Sequence, residues 1–409
     1  MAAATTPPKP FAVVDPRPKE KSRLAKFLEL ELLDNRYPAL HGLRFLAIIT
    51  VVQFHVTWIY AGEQRIILDP DWIGSSLAVF FGMDLFFMLS GFLIGSILLR
   101  SLETTGTQKI RRFYVRRVFR TFPSYYVVLT YLALTTALTA AQWKHLPAEY
   151  LYATNFMPLG RQDIIMFWGW SLALEEQFYL TVPVLFFVLH RLKSERVRLG
   201  LLVALWLAAL VVRIVIYARH RPWTDLGLYD ALYFRTHTRF DTLVAGIILA
   251  YVQSRFGKQI GAWLKAPFHR ALVAMPSLFC LWFLMNPTIL GPANVQIVHL
   301  FTWGTVTTLM YFGALLLLLH GDGWINRLLS WPFFRRAATL GYGVYLVHIP
   351  LIDHALVPIA HVAQKKQISM LLVWPASLVA VMIASLLIGY VMHVLIEKPS
   401  LALRDRFGD

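Results

Sequence analysis

The chain is predicted to be all-α, a polytopic membrane protein folded as a bundle of about ten transmembrane helices with both termini cytoplasmic. Three observations predict this. Of 409 residues, 57% are hydrophobic and only 15% are charged, more apolar material than one soluble core of this length absorbs. Apolar runs of the ~20 residues needed to cross a ~30 Å hydrocarbon slab recur along the whole chain. The formal charge of +16 falls unevenly between alternate loops.

In chain order, the apolar windows lie at 43–62, 75–99, 121–141, 168–190, 198–218, 238–254, 271–286, 296–320, 335–355 and 370–396. Residues 1–36 are rich in Pro, Lys and Arg and lack the apolar stretch of a cleaved signal, so they read as a disordered cytoplasmic tail. Residues 37–400 form one transmembrane domain without sustained internal repeats, and 401–409 a short cytoplasmic tail. Nothing in the chain specifies an oligomeric state.

One set of alternate loops holds Arg100, Lys109, Arg111, Arg112, Arg116, Arg117 and Arg120, then Arg191, Lys193, Arg196 and Arg198. It continues with Arg255, Lys258, Lys265 and Arg270, and with Arg327, Arg335 and Arg336. The other set holds only Arg65, Lys144, Arg161, Arg219, Arg221, Arg235, Arg239, Lys365 and Lys366. The richer set is assigned to the cytoplasm, which accounts for most of the basicity without a nucleic-acid partner. Cys280, the one cysteine, sits in an apolar run and reads as a buried structural thiol. Neither a disulfide framework nor a metal site is expected, and no GxSxG, Walker, HExxH or CxxC pattern supports a hydrolase, an NTPase or a zinc enzyme.

Chemistry-bearing residues interrupt several spans. Within PALHGLRFLAIITVVQFH, Arg44 and His55 are eleven positions apart, on one helical stripe and ~16 Å apart along the axis. With Arg44 at a membrane surface, His55 is expected near mid-membrane, where an ionisable group is costly and marks function. His348, about twelve residues from Arg336, is expected at similar depth, and two such histidines on different spans point to a shared cavity. In KIRRFYVRRVFRTFP, Arg117 and Arg120 share a face with Arg116 beside them; the run serves topology, or it grips the phosphates of a nucleotide-type donor. Trp168, Ser171, Glu175 and Tyr179 recur at helical spacing as a polar seam.

Asp84 breaks an apolar span in which Ser90-Gly91 permits close helix approach or local unwinding. Arg213, Arg239 and Asp241 read as ion-paired supports. Two external segments mix aromatic and polar side chains. Residues 142–167 carry Trp143, His145, Glu149, Tyr150, Tyr152, Asn155, Arg161 and Asp163, and residues 219–239 carry Trp223, Asp225, Tyr229, Asp230, Tyr233 and His237. The mixture suits a carbohydrate-type acceptor, and equally an interfacial aromatic belt.

Taken together, these segments resemble the bacterial membrane-bound acyltransferase type 3 family over nearly the whole chain, from Pro38 to Pro399. Its arginine, ten residues, histidine signature fits Arg44 and His55, and its arginine pair fits Arg117 and Arg120. Its FFxLSGFL, WSLxxEEQFY, YLxH and IExP segments fit Phe86 to Leu93, Trp170 to Tyr179, Tyr345 to His348 and Ile396 to Pro399. Three positions depart from its pattern: His41 stands where the family has an acid, Phe45 where it has glycine, and Gly341 where a serine is frequent. The chain also ends after the last span, without the appended SGNH domain of some relatives, so a second transfer is expected to need a partner or not to occur.

The resemblance implies an O-acyltransferase of the inner cell membrane, embedded in the lipid bilayer, that moves an acyl group, foremost acetyl, from a cytoplasmic acyl-CoA to a hydroxyl of an extracytoplasmic acceptor. A surface polysaccharide or its lipid-linked precursor leads; a macrolide-like metabolite or a lipid is the alternative. His55 would act as general base or be acylated itself, with Arg44, Glu175 and Ser171 orienting groups or stabilising charge. Arg116, Arg117 and Arg120 would hold donor phosphates, and Asp84, Ser90, Tyr179, His348, Tyr345, Arg239 and Asp241 are further candidates. A transporter or flippase is the competing class, because intramembrane histidine, arginine and acid also build transport pathways.

Overall fold

The computed structural model describes residues 27–66, 81–105, 110–219, 224–286 and 294–407, with Ser22, Ile289 and Gly291. Most of the predicted tail, residues 75–80 of the second predicted span, Lys109, Arg221, Trp223 and the side chain of Asp225 lie outside the described residues. Among the described residues there is no strand.

Helix α1 (Ala39–Thr57) continues through a π-turn, Trp58–Glu63. It is followed by α2 (Gly82–Thr105), α3 (Ile110–Thr135), α4 (Ala140–Tyr150), α5 (Trp170–Arg191), α6 (Glu195–Arg219), α7 (Asp241–Trp263) and α8 (Pro267–Met285). Then come α9 (Val295–Phe301), α10 (Thr307–His320), α11 (Trp324–Leu329), α12 (Pro332–Leu351), α13 (Val357–Lys365), α14 (Met370–Met392) and α15 (Lys398–Phe407).

Among the described residues, eight helical stretches are long and apolar enough to cross a membrane. The two remaining predicted spans, 121–141 and 238–254, fall on α3 and α7, helices of 26 and 23 residues with lower hydropathy. Both carry charge or polar groups that the bundle uses, so their composition alone understates their place in it. Helix α14 shows the outward pattern clearly: Leu372, Val379, Ile383, Leu387 and Val391 are exposed. In water such a stripe would be an aggregation surface, whereas against lipid tails it costs nothing.

Helix α1 packs against α2, α12 and α14, while α7 packs against α2, α6 and α10. The α2–α7 crossing is close because two glycines meet: a Cβ built on Gly246 would lie 2.8 Å from Gly91 Cα. Gly91 thus serves close approach, and α2 runs through it without unwinding. Between α9 and α10 the backbone breaks at Gly304 (φ 99°), directly beside the Asp241 carboxylate.

Residues 27–36 differ from the disordered tail expected for them. Arg335 Nε donates to the Leu33 carbonyl at 2.8 Å, Lys398 Nζ to the Phe27 and Glu29 carbonyls at 3.0 and 2.8 Å, and Tyr390 to the Leu28 carbonyl at 2.8 Å. The cations of the bundle's Arg-rich end thereby take up backbone carbonyls that a free tail would leave to water.

Candidate functional site

A cavity of about 290 Å³ opens between α1, α2, α3, α5 and α12. Arg44, Arg117 and Arg120 line it, with Arg36 and Arg100. Among the described residues, Asp34 and Glu175 are the only carboxylates on its walls. Arg44, Arg117 and Arg120 form no ion pair among the described residues, and Arg117 Nε is buried with no hydrogen-bond partner. Guanidinium groups left this way at a cavity wall call for an anion with several acceptor oxygens. Arg116, predicted beside the pair, is exposed and lies off the cavity, because one residue on a helix turns it ~100° away from Arg117.

The predicted polar seam of α5 forms the inner wall. Tyr179 donates to Glu175 Oε1 at 2.6 Å, Ser90 of α2 donates to the same oxygen, and the Arg117 guanidinium sits 5.1 Å from the Tyr179 ring centroid. Tyr345 OH donates to the Trp168 carbonyl at 2.7 Å, so the 2.5 Å contact between Ser171 Oγ and Tyr345 OH has Ser171 as donor. Ser171 and Glu175 therefore share a helix face but bond to different helices. His41 lines the same cavity.

His55 and His348 do not line this cavity; they lie just beyond Tyr345, whose ring is 5.4 Å from that of His348. His348 Nδ1 is 2.6 Å from the Tyr345 carbonyl, and His55 Nδ1 is 2.9 Å from the Val51 carbonyl. A carbonyl oxygen only accepts, so in the neutral rings both Nδ1 atoms carry the proton. His348 Nε2 is then the bare acceptor 3.1 Å from His55 Nδ1. The same assignment leaves Nε2 of His55 unprotonated, with a lone pair for a proton or an acyl carbon. A shared cavity was expected of the two histidines; the structure instead brings their rings into direct contact, and neither lines the cavity above. By rise per residue His55 lies roughly 24 Å along from Ala39 and roughly 12 Å before Glu63, about 6 Å past the midpoint of that stretch on the side remote from the arginines.

Asp84, Arg239 and Asp241 form a separate, fully buried network. Arg239 Nη2 donates to Asp84 Oδ1 at 2.7 Å, and Arg213 Nη1 donates to Asp241 Oδ2 at 2.8 Å. Arg213 also reaches the Leu300 and Thr238 carbonyls and Thr305 Oγ1. These are the ion-paired supports expected, with each arginine paired across helices to the acid of another segment.

The segment at 142–167, which the charge distribution predicts to be external, uses much of its polar composition internally. Glu149 accepts from the Ile165 and Met166 N–H groups at 2.8 Å each, and His145 Nδ1 lies 3.0 Å from the Asp163 carbonyl. Burial pushes the Glu149 carboxyl above its usual range, opposed by those two N–H donors. Asn155 holds the Trp170 and Phe234 carbonyls at 2.9 and 2.8 Å. Two acids not singled out in the sequence, Glu63 and Asp353, receive Arg161 at 2.7 Å each. Burial opposes the Arg161 charge, but the hydrogen bonds and attraction of Asp353 and Glu63 outweigh it and hold the guanidinium above its usual range. The signal for this clamp was faint: one acid closing each histidine-bearing helix, with an arginine in a loop between them. Arg36 and Arg100 were legible only as topogenic charge.

Known proteins share this sequence pattern. The chain is 26% identical over 340 residues to the peptidoglycan O-acetyltransferase OatA of Listeria monocytogenes, covering 77% of this chain and 49% of that protein. It is 27% identical over 346 residues to Bacillus subtilis YrhL, provisionally named a peptidoglycan O-acetyltransferase, covering 78% of this chain and 49% of that protein. A Staphylococcus aureus protein provisionally named an O-acetyltransferase is 26% identical over 343 residues, 77% of this chain and 50% of its own. The chain thus spans about half the length of the curated relatives it matches. No solved structure matches it. A family model described as an acyltransferase domain matches residues 37–393, most of the chain, including Arg44, His55, Arg117, Arg120, Glu175 and His348, and the chain belongs to that acyltransferase family.

Proposed function

We propose that the protein transfers an acetyl group from acetyl-CoA to a hydroxyl of a cell-surface carbohydrate. The observation that carries this reading is the cavity in which Arg44, Arg117 and Arg120 stand without ion pairs and which is lined also by Tyr345, whose ring is 5.4 Å from that of His348. In this reading the arginines hold the donor's phosphates at the Arg-rich end, facing the cytoplasm by the distribution of charged loops. Arg44 lies roughly 16 Å along α1 from His55, a distance the pantetheine arm covers as it carries the thioester inward.

The acceptor arrives from the opposite end. His55 Nε2 takes the hydroxyl proton as the acceptor oxygen attacks the thioester carbonyl carbon; the C–S bond then breaks, and the departing thiolate receives the proton from the imidazolium. His348 Nε2 accepts the Nδ1–H of His55 throughout, which stabilises the imidazolium as it forms. The covalent variant uses the same lone pair: His55 Nε2 attacks the thioester and expels the CoA thiolate, and the acceptor oxygen then displaces the imidazole from the acetyl carbon while its proton passes to that thiolate.

Acetyl transfer in proteoliposomes loaded with acetyl-CoA tests the assignment. His55→Ala and Arg44→Ala should lose ~100-fold or more in transfer; rates near wild type for either would sink it.

A further inference from the structure

Resting on the acyl-transfer reading above, we propose that Trp58, Glu63, Arg161 and Asp353 form the seat for a neutral sugar ring of the acceptor, one helical turn from His55. Trp58 follows His55 by three residues and so shares its face of α1, at the point where the helix loosens into the π-turn ending at Glu63. Its indole packs against Phe167 at a tilt of 56°, ring centroids 5.9 Å apart, and Phe167 carries the Arg161 guanidinium 4.6 Å from its own centroid. Arg161 in turn bonds Glu63 at 2.7 Å and Asp353 at 2.7 Å, the latter within the π-turn Ile352–Leu356 that follows His348. The clamp therefore ties together the two helix ends lying just past the two histidines.

Three features make this a binding surface and not only a brace. The Trp58 Nε1–H has no hydrogen-bond partner among the described residues. Trp58 is only half-buried, and the small residue Gly62 borders the Cδ1–Nε1 edge of its ring, where a Cβ would stand 3.5 and 3.6 Å from those atoms. Arg161, Glu63 and Asp353 keep partial solvent access at 34%, 20% and 24%.

An aromatic face beside fixed acceptors and a free N–H donor matches the alternating apolar faces and hydroxyl edges of a sugar ring. Within the clamp two carboxylates meet one guanidinium, a surplus of negative charge that disfavours a phosphate or uronate pressed against it. Held in place by Arg161, the carboxylates need no reordering to accept hydroxyl hydrogens. A hydroxyl of a ring seated on Trp58 then lies within one turn of the His55 lone pair.

The test uses membranes that carry the full chain and the native surface glycan, supplied with acetyl-labelled acetyl-CoA. Label is followed into glycan, lipid and free acetate, and CoA binding is measured on the purified proteins. Trp58→Ala and Asp353→Asn should lower glycan labelling ~10-fold or more while CoA affinity stays within ~2-fold of wild type. Trp58→Phe, which keeps a ring but loses the N–H, should fall between, and its CoA affinity controls for folding. Glycan labelling within ~2-fold of wild type in both Trp58→Ala and Asp353→Asn would overturn the seat, as would wild-type label entering lipid and no glycan. Label transfer that survives His55→Ala would instead overturn the acyl-transfer reading itself, so the two failures are told apart.

Discussion

His348 Nε2 lies 3.1 Å from His55 Nδ1, and each ring is fixed in one tautomer by a backbone carbonyl. In the proposed reaction the pair would act as an orienting device without a carboxylate: His348 accepts where an aspartate would in other imidazole-based sites, at lower negative charge in an apolar setting.

His348→Gln and His348→Ala should therefore lower acetyl transfer by ~100-fold. Affinity for CoA should remain near wild type, because His348 lies off the arginine-lined cavity. Equal losses in CoA affinity and transfer, measured by titration and single-turnover labelling, would count against the orienting role.

Arg117→Ala and Arg120→Ala should weaken CoA binding by ~10-fold or more, on the order of 1.5–3 kcal/mol for each charged hydrogen bond removed. Arg117→Lys should recover little, because a lysine does not reproduce the planar fork. Binding should also weaken with salt more steeply in wild type than in either variant. Titration of CoA into the purified proteins at two salt concentrations checks all three statements.

Glu149 offers a stability test away from the site. Glu149→Ala leaves the Ile165 and Met166 N–H groups unpaired and should destabilise by ~1–3 kcal/mol per group. Because burial raises the native carboxyl's affinity for its proton, wild-type stability should be full below the unfolded value of ~4.3 and fall as pH rises through the interval up to the native value. Thermal melting across that range should show the fall in wild type and a flatter profile in Glu149→Gln.

Gly304→Ala should prevent or severely reduce folding. A Cβ there would sit 2.7 Å from Asp241 Cγ, at a φ of 99° that a side chain resists. The displaced carboxylate would leave Arg213 without its charge partner inside the bundle. Thermal melting and expression yield in detergent report the loss.

Much of this was legible in the chain because its causes are local. Hydropathy windows marked ten spans, of which eight are apolar membrane-length helices among the described residues; the other two fall on α3, whose Arg117 and Arg120 stand unpaired at the cavity, and α7, whose Asp241 is paired with Arg213 of α6. Helical spacing placed Ser171, Glu175 and Tyr179 on one face, yet it did not show that Ser171 turns to Tyr345 while Glu175 turns to Ser90. Arg116 illustrates the opposite error: adjacency in sequence suggested a shared role, and one residue of helical rotation removed it from the cavity.

By itself the sequence determined the membrane class, the helices and the residue types available, since lipid solvation and helix periodicity act on neighbouring residues. Only the tertiary structure decided which charges stay unpaired. Asp84 lies 155 residues from Arg239, and His55 lies 293 from His348. Such distances in the chain carry no pairing signal, and which buried polar group meets which is settled by helix packing, where each unmatched charge costs several kcal/mol, on the order of its desolvation.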